Sequence, residues 1–455
     1  VAQSVLHAQK KISLTMNLKP LFLLACCCLL SQAQAQTTFD QAQLDRYFDA
    51  LEQNQRFMGS VALSQNGQII YTRSLGFADQ SRQTKANAQT QYRIGSISKT
   101  FTAVLVFKAI EQKKLKLNQT LDKFFPNIPK AKKISIKQLL GHRSGIPSFT
   151  DQLTYLTWHT QAQSPEALVE RIASLGSAFE PDSKSQYSNS NYVLLGLILE
   201  KVSKKSYAQL LAEQIVQPLG LSHTRVGSKI NSQENQAQSY RFEGEWKMES
   251  ETDMSVPLGA GALISTASDL VKFGDALFAG RLLKASSLKQ MQTLQDDYGL
   301  GLFSFPFDDQ VGYGHTGGID GFSSFLIHFP KAKISYSFVC NGSRMDNNNI
   351  SIAVLSAVFG KPYKIPSFKK VELNAEALTA YTGVYASKQM PLKITVSSNG
   401  KSLSAQATGQ GAFPLEVTDE HRFEFEQAGV VLIFNPSERS MTLEQHGQTF
   451  LFQKE

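Results

Sequence analysis

Strand patterns stand at both ends of a helix-rich stretch in this chain, and that order limits the folds open to it more than any other feature. Val61-Ala62-Leu63 and Ile69-Ile70-Tyr71 flank Asn66-Gly67, a pair that tolerates the positive φ of a tight hairpin turn, so two antiparallel strands come early. Before them, Leu44, Tyr47, Phe48 and Leu51 repeat at the spacing of one helical face. From Ser96 to Gly280 the pattern is helical, at Thr100–Ile110, Pro165–Ile172, Tyr192–Val202, Tyr207–Val216 and Ala267–Phe278. Strand character returns at Phe322–Phe329 and Ile334–Cys340, and Ile350–Phe359 reads as one more helix. Strands near both ends of a unit join most simply into one antiparallel sheet, with helices covering it and a helical lobe beside it. The expected class is α/β in the mixed, α+β sense.

The chain changes character after Gly360. Lys361-Pro362-Tyr363-Lys364-Ile365-Pro366 is turn-rich and reads as a linker. From Leu378 onward short β-rich runs recur, at Gly383–Tyr385, Leu392–Val396, Ser402–Ala405, Arg422–Phe425, Val430–Phe434, Met441–Glu444 and Thr449–Phe452, with a second hairpin signal at Asn399-Gly400. A segment of this kind makes a small all-β barrel or sandwich. The expected organisation is therefore residues 36–360 as the mixed unit, 361–376 as a linker and 377–455 as a C-terminal β-barrel.

Residues 1–35 carry a different signal. From Met16, Lys19 precedes the apolar run Leu21–Leu30, and Ala33-Gln34-Ala35 offers small residues for cleavage, the pattern of a secretory signal. The alternative is lipoprotein processing at Leu24-Ala25-Cys26. The apolar run is about half of the ~20 residues that a membrane span needs. No later stretch is longer, so the mature protein is expected to be soluble and exported, periplasmic or secreted. Cys26, Cys27 and Cys28 would leave with the signal, and Cys340 alone cannot form a disulfide within one chain. The formal charge of +8 likewise shrinks once Lys10, Lys11 and Lys19 are removed. The clusters Lys113, Lys114, Lys116 and Lys130, Lys132, Lys133 are solvated faces or an attraction to an anionic polymer such as cell wall. No aromatic residues interleave with them, which argues against nucleic acid as a partner.

The chemistry gathers around Arg93-Ile94-Gly95-Ser96-Ile97-Ser98-Lys99, directly before an apolar helix. A serine at a helix N-terminus sits where backbone N–H groups and the macrodipole favour negative charge. Lys99 lies three residues on and shares its face. A lysine kept neutral by burial can take the proton that makes a serine hydroxyl a nucleophile. Taken alone, the four residues fit equally an N-cap serine with an exposed lysine, and Ser98 competes for the cap. Two later segments add to the pattern: Gln186-Tyr187-Ser188-Asn189, before an apolar helix, and Gly314-His315-Thr316-Gly317-Gly318, before a strand.

S-x-x-K, then Y-x-N, then H-T-G in that order resembles the class C β-lactamases and their peptidase and esterase relatives, penicillin-binding proteins among them. Leu139-Leu140-Gly141-His142-Arg143-Ser144-Gly145-Ile146 resembles the loop between the first two motifs, and the likeness runs over residues 40–360. It implies a transpeptidase-like fold, and the tail resembles the lipocalin-like domains appended to this family. Carried over by position, it implies Ser96 as nucleophile, and Lys99 and Tyr187 as the groups that move its proton, Tyr187 acting as phenolate or through Lys99. Asn189 would hold a substrate amide and position Lys99. His315 would stand across the cleft near Tyr187, with Thr316 and Gly317 on an edge strand that binds substrate. The N–H groups of Ser96 and Gly318 would form the oxyanion hole.

Other chemistries find no support in the residues. Gly312 to Gly317 matches G-x-G-x-x-G but opens a strand rather than a helix, so it is no dinucleotide loop. No G-x-S-x-G elbow, no H-E-x-x-H and no tight metal-ligand spacing occurs, and neither metal nor cofactor is expected. Cys340 reads as a core residue. The expected activity is hydrolysis of an ester or amide, in a D-amino-acid peptide or a small ester, through an acyl-enzyme. A β-lactamase proper, or a non-catalytic sensor of the same fold, is the alternative, although a pure binder needs neither Lys99 nor Tyr187.

Overall fold

The computed structural model describes residues 39–368, 371, 373–445 and 447–455. The expected signal segment, its cleavage site and its three cysteines lie outside the described residues. Six antiparallel strands form the main sheet in the order Phe303–Phe307, Gln310–Ile319, Phe322–Phe329, Ile334–Ser343, Phe57–Gln65 and Gln68–Leu75. The early hairpin thus joins the late strands in one sheet, and it turns through Asn66 and Gly67 at φ 53 and 77. Helix Gln41–Gln53 buries Leu44, Tyr47, Phe48 and Leu51. Helix Ala267–Phe278 packs on strands Phe57–Gln65 and Ile334–Ser343, and Cys340 is buried within the latter.

Helix Ser98–Glu111 runs through the lobe and is buried on all sides from Ser98 to Phe107. A helix that is apolar all round belongs in a core, and here it lies against helices Asn189–Ser203 and Leu258–Gly261. This places the start of the first helix, which carries Ser96 and Lys99, beside the start of the second, which carries Asn189.

Two strands go beyond the expected set, and one expected helix is altered. Phe303–Phe307 and Gln310–Ile319 are strands that the glycines and prolines of the sequence hide. The glycines there serve close approach, since a side chain at Gly317 would overlap the Ile94 carbonyl and the Ser324 hydroxyl. Strand Phe303–Phe307 pairs only as far as Gly314, so His315 to Ile319 have an open edge on that side. The expected helix Tyr207–Val216 is helical to Leu211 and then widens into a π turn over Ala212–Val216. Pro218 has no N–H to offer to the carbonyl four residues back.

The tail closes into an eight-stranded barrel in which each strand pairs with the next, and Gly383–Ala386 pairs with Gln448–Lys454. Seven of its strands match the expected runs. The eighth, Phe413–Asp419, carries Pro414 and lacks clean alternation, which is why its sequence does not read as a strand. Phe423, Phe434, Met441 and Phe452 are buried in the barrel core, with Tyr381 against the rings of Phe423 and Phe434. Among the described residues no helix is long and apolar enough to cross a membrane.

The barrel meets the rest of the chain through charge. Glu416 takes Arg56 and Arg344, Arg344 Nη2 lying 2.5 Å from Oε1, and Glu426 stands 4.0 Å from Arg56. Burial raises the Glu426 carboxyl to about 7, against the pull of Arg56 and with a push from Glu424, Glu416 and Asp346. An acid whose folded pKa lies above its unfolded value favours the folded state at low pH and loses that contribution as pH rises through the folded value. A shift of this size corresponds to at most roughly 3 kcal/mol. Glu426→Gln is therefore expected to raise Tm by a few degrees over the parent at pH 8 and to leave it level at pH 4, below the unfolded value. Thermal unfolding at the two pH values checks this, and an equal difference at both would remove Glu426 as the cause.

Candidate active site

The Ser96 turn is held tightly before any ligand is considered. Gly95–Ile97 form a single 3-10 turn that runs straight into helix Ser98–Glu111. Gly95 adopts φ +49, and a side chain there would run into the backbone of Gly318, so strand Gln310–Ile319 lies directly against the turn. Ser98, the rival for the cap, is buried, and its hydroxyl accepts from the Leu263 N–H at 3.1 Å. Ser144 is also committed, donating to Asn191 Oδ1 at 2.6 Å.

Lys99 is fully buried, and its amine reaches three oxygens. Nζ lies 2.9 Å from Ser96 Oγ, 2.7 Å from Asn189 Oδ1 and 2.8 Å from the Ala260 carbonyl. Loss of hydration holds the amine well below its ordinary pKa. Asn189 is itself oriented: its Nδ2 donates to Thr150 Oγ1 at 2.9 Å and its backbone N–H to Ser148 Oγ at 3.1 Å, which turns Oδ1 toward Lys99.

Tyr187 completes the group. Lys99 Nζ lies 4.8 Å from the centre of its ring. The residue is 37% exposed, yet burial at its hydroxyl end raises the phenol above its usual value, and a hydrogen bond with the Ser96 hydroxyl opposes that rise. The structure thus brings Ser96, Lys99, Tyr187 and Asn189 into one cluster from two helix starts. Gly318 shares with Ser96 and Asn189 a cleft of about 470 Å³, also lined by Phe149, Tyr155, His159, Arg241, Glu249 and Asp320.

His315 is near the cluster but is not open to it. Its ring centre is 6.2 Å from that of Tyr187, and the residue is 1% exposed. Nδ1 donates to the Thr316 carbonyl at 2.5 Å, which leaves Nε2 to accept from the Tyr298 hydroxyl at 3.3 Å. Burial pushes the imidazole down to about 3, so the ring is neutral. His315 thus lies near Tyr187, as the resemblance implied, with its ring buried. Thr316 is exposed on the open edge of its strand, whereas Gly317 is pressed against Ile94 and Ser324.

Several residues of the site were not singled out by the sequence. Ser148 and Thr150 lie at the 3-10 turn Phe149–Asp151, with no spacing that links them to Asn189, and the Ala260 contact is through backbone. Arg93 supports the floor of the cleft: it is buried, and its guanidinium donates to Asp320 at 2.8 Å and to Glu251 at 2.9 Å. Asp320 in turn accepts from the Thr252 hydroxyl at 2.6 Å.

Known proteins share this arrangement of sheet and lobe. The chain is 26% identical over 432 residues to a penicillin-binding protein of Bacillus subtilis (strain 168), covering 87% of this chain and 94% of that one. Among solved structures, a D-stereospecific amidohydrolase from Streptomyces sp. is 28% identical with a TM-score of 0.57, over 66% of this chain and 94% of that one. A D-amino acid amidase from Ochrobactrum anthropi SV3 is 26% identical with a TM-score of 0.62, over 70% and 99%. The octameric penicillin-binding protein homologue from Pyrococcus abyssi, at 23% identity, shows the same fold over 91% of this chain and 100% of its own, with a TM-score of 0.63. The profile of the Beta-lactamase family matches residues 44–359, and the chain accordingly belongs to that family of serine hydrolases and acyltransferases.

Proposed function

We propose that this chain is an exported hydrolase that cleaves an amide or ester, in a D-amino-acid peptide or amide or a small ester, through an acyl-enzyme on Ser96. One observation carries the reading: the three partners of Lys99 Nζ. A neutral amine has two N–H donors and one lone pair. Asn189 Oδ1 and the Ala260 carbonyl can only accept, so they take the two N–H bonds. The lone pair is left for Ser96 Oγ, the one partner with a proton to give.

The sequence of events follows from that geometry. Lys99 takes the hydroxyl proton as Ser96 Oγ attacks the carbonyl carbon, and the N–H groups of Ser96 and Gly318 receive the oxyanion. Burial disfavours both a charged Lys99 and a charged Tyr187, and this supports reading the resting pair as neutral amine and neutral phenol. Tyr187 then donates its proton to the leaving group and is reprotonated from Lys99. In the second half water gives its proton to Lys99 as it attacks the acyl carbon, and Lys99 returns that proton to Ser96 Oγ as the acid departs. Thr316, on the open strand edge, is read as a contact for the substrate backbone.

The substrate class rests on the amide-cleaving relatives and on His315. A neutral, buried imidazole gives a β-lactam carboxylate no cation at this position. Export rests on residues 1–35, and we read 36–360 as the hydrolase unit, 361–376 as its connector and 377–455 as an appended barrel. The experiment is a comparison of kcat/KM for D-alanine and D-phenylalanine amides, p-nitrophenyl acetate and butyrate, and nitrocefin. Amide or ester turnover well above nitrocefin is expected. Nitrocefin turnover above every amide and ester tested would make the protein a β-lactamase instead.

A further inference from the structure

His142 holds both neighbours of Tyr187. The Gln186 N–H donates to the His142 carbonyl at 2.9 Å, and the Ser188 N–H donates to His142 Nδ1 at 3.1 Å. Between these two anchors the imidazole lies against the Tyr187 ring, with centres 4.3 Å apart and planes 34° apart. Three contacts from one residue thus fix the backbone on each side of Tyr187 and one face of its ring.

Two features show that His142 is held there against local preference. It adopts φ +56, in the left-handed region that non-glycine residues seldom occupy. It is 1% exposed, and its Nε2 has no hydrogen-bond partner among the described residues. An apolar ring would fill the same space among Tyr187, Tyr192 and Tyr298 without burying that nitrogen. What an apolar ring lacks is the acceptor for Ser188. The left-handed turn is what lets carbonyl and ring face one segment.

We propose that His142 is a positioning residue for Tyr187: it sets the phenol against Ser96 so that Tyr187 can protonate the leaving group. This rests on the role given to Tyr187 above. The proton on a departing amine must come from a phenol aligned with it, and misplacement by about 1 Å costs on the order of 10²-fold. A p-nitrophenolate leaves without a proton, so ester cleavage should be nearly indifferent to the same displacement.

The test is a double-mutant cycle read on two leaving groups. His142→Ala removes ring and acceptor, while His142→Asn tolerates the left-handed backbone and keeps an oxygen for the Ser188 N–H. Hydrolysis of D-phenylalanine amide is expected to fall about 100-fold in His142→Ala and about 10-fold in His142→Asn, with p-nitrophenyl acetate within a few-fold of the parent. In a Tyr187→Phe background neither change should cost more. Equal losses on amide and ester, a full further loss in the Tyr187→Phe background, or unchanged amide hydrolysis would each overturn the proposal. If the alanine variant does not fold, the asparagine variant decides. If neither folds, His142 is a folding determinant and the proposal fails. Amide hydrolysis unchanged in Tyr187→Phe alone would overturn the role of Tyr187, and this inference with it. An inactive Tyr187→Phe in which the His142 losses still add would overturn this inference alone.

Discussion

Lys99→Met is expected to reduce acylation of Ser96 by about three orders of magnitude, within the range that a positioned base contributes. Methionine fills much of the same space but has no basic lone pair to take the hydroxyl proton. Asn189 Oδ1 and the Ala260 carbonyl lose their donor, which costs about 1–3 kcal/mol for each buried group left unpaired. Part of that is offset, because the parent buries an amine whose charged form burial disfavours. A modest fall in Tm should therefore accompany a very large fall in rate. In the parent, the acid limb of kcat/KM should lie far below the ordinary lysine range, since burial lowers the Lys99 pKa and activity rises with pH through the lowered value. The measurement is the second-order rate of labelling by a fluorophosphonate, with circular dichroism as the control for folding. A rate within ten-fold of the parent would mean that another group takes the proton.

Tyr187→Phe is expected to separate substrates by their leaving groups. On a D-amino-acid amide, kcat should drop about 10²–10⁴-fold, because the amine cannot depart without a proton. On p-nitrophenyl acetate the loss should stay within about ten-fold, because Lys99 remains beside Ser96. Burial raises the pKa of the phenol, which supports the proposed role of donor over that of resting base. Steady-state rates on the two substrates check the point. Equal, large losses on both would make Tyr187 the base that activates Ser96, and Lys99 its partner.

How much of this was legible in the sequence differs from element to element for physical reasons. The Ser96 to Lys99 relation is local: three residues along a helix start place two side chains on one face, and no tertiary information is needed. Helix Ala267–Phe278 and strand Phe322–Phe329 were bounded correctly because their apolar periods are strong. Tyr187, Asn189 and His315 carry no such period. They were reached through the order of three motifs, and that order says nothing about exposure. The burial of His315 behind Tyr187 and Tyr298 is accordingly a finding of the structure. Strands Gln310–Ile319 and Phe413–Asp419 were hidden by glycine and proline, which are present for close packing and a strand start rather than for strand propensity.

The contacts that orient the cluster were the least legible. Thr150 turns Asn189, the Ala260 carbonyl occupies one N–H of Lys99, and His142 bonds on both sides of Tyr187. Two of these run through backbone atoms, which any residue type supplies. All three join segments far apart in the chain. Without them, S-x-x-K describes an N-cap serine and a surface lysine as well as it describes a nucleophile and its base. Burial of Lys99 among acceptors is what separates the two descriptions.

The central claim is that Ser96 is the atom acylated, and the most direct measurement is mass spectrometry of the protein after reaction with a fluorophosphonate or a penicillin. The account predicts one adduct per chain, carried by the peptide that contains Ser96, and none in a Ser96→Ala variant whose circular dichroism and Tm match the parent. An adduct that maps to Ser98 or Ser144, or one that persists in the folded Ser96→Ala variant, would contradict it.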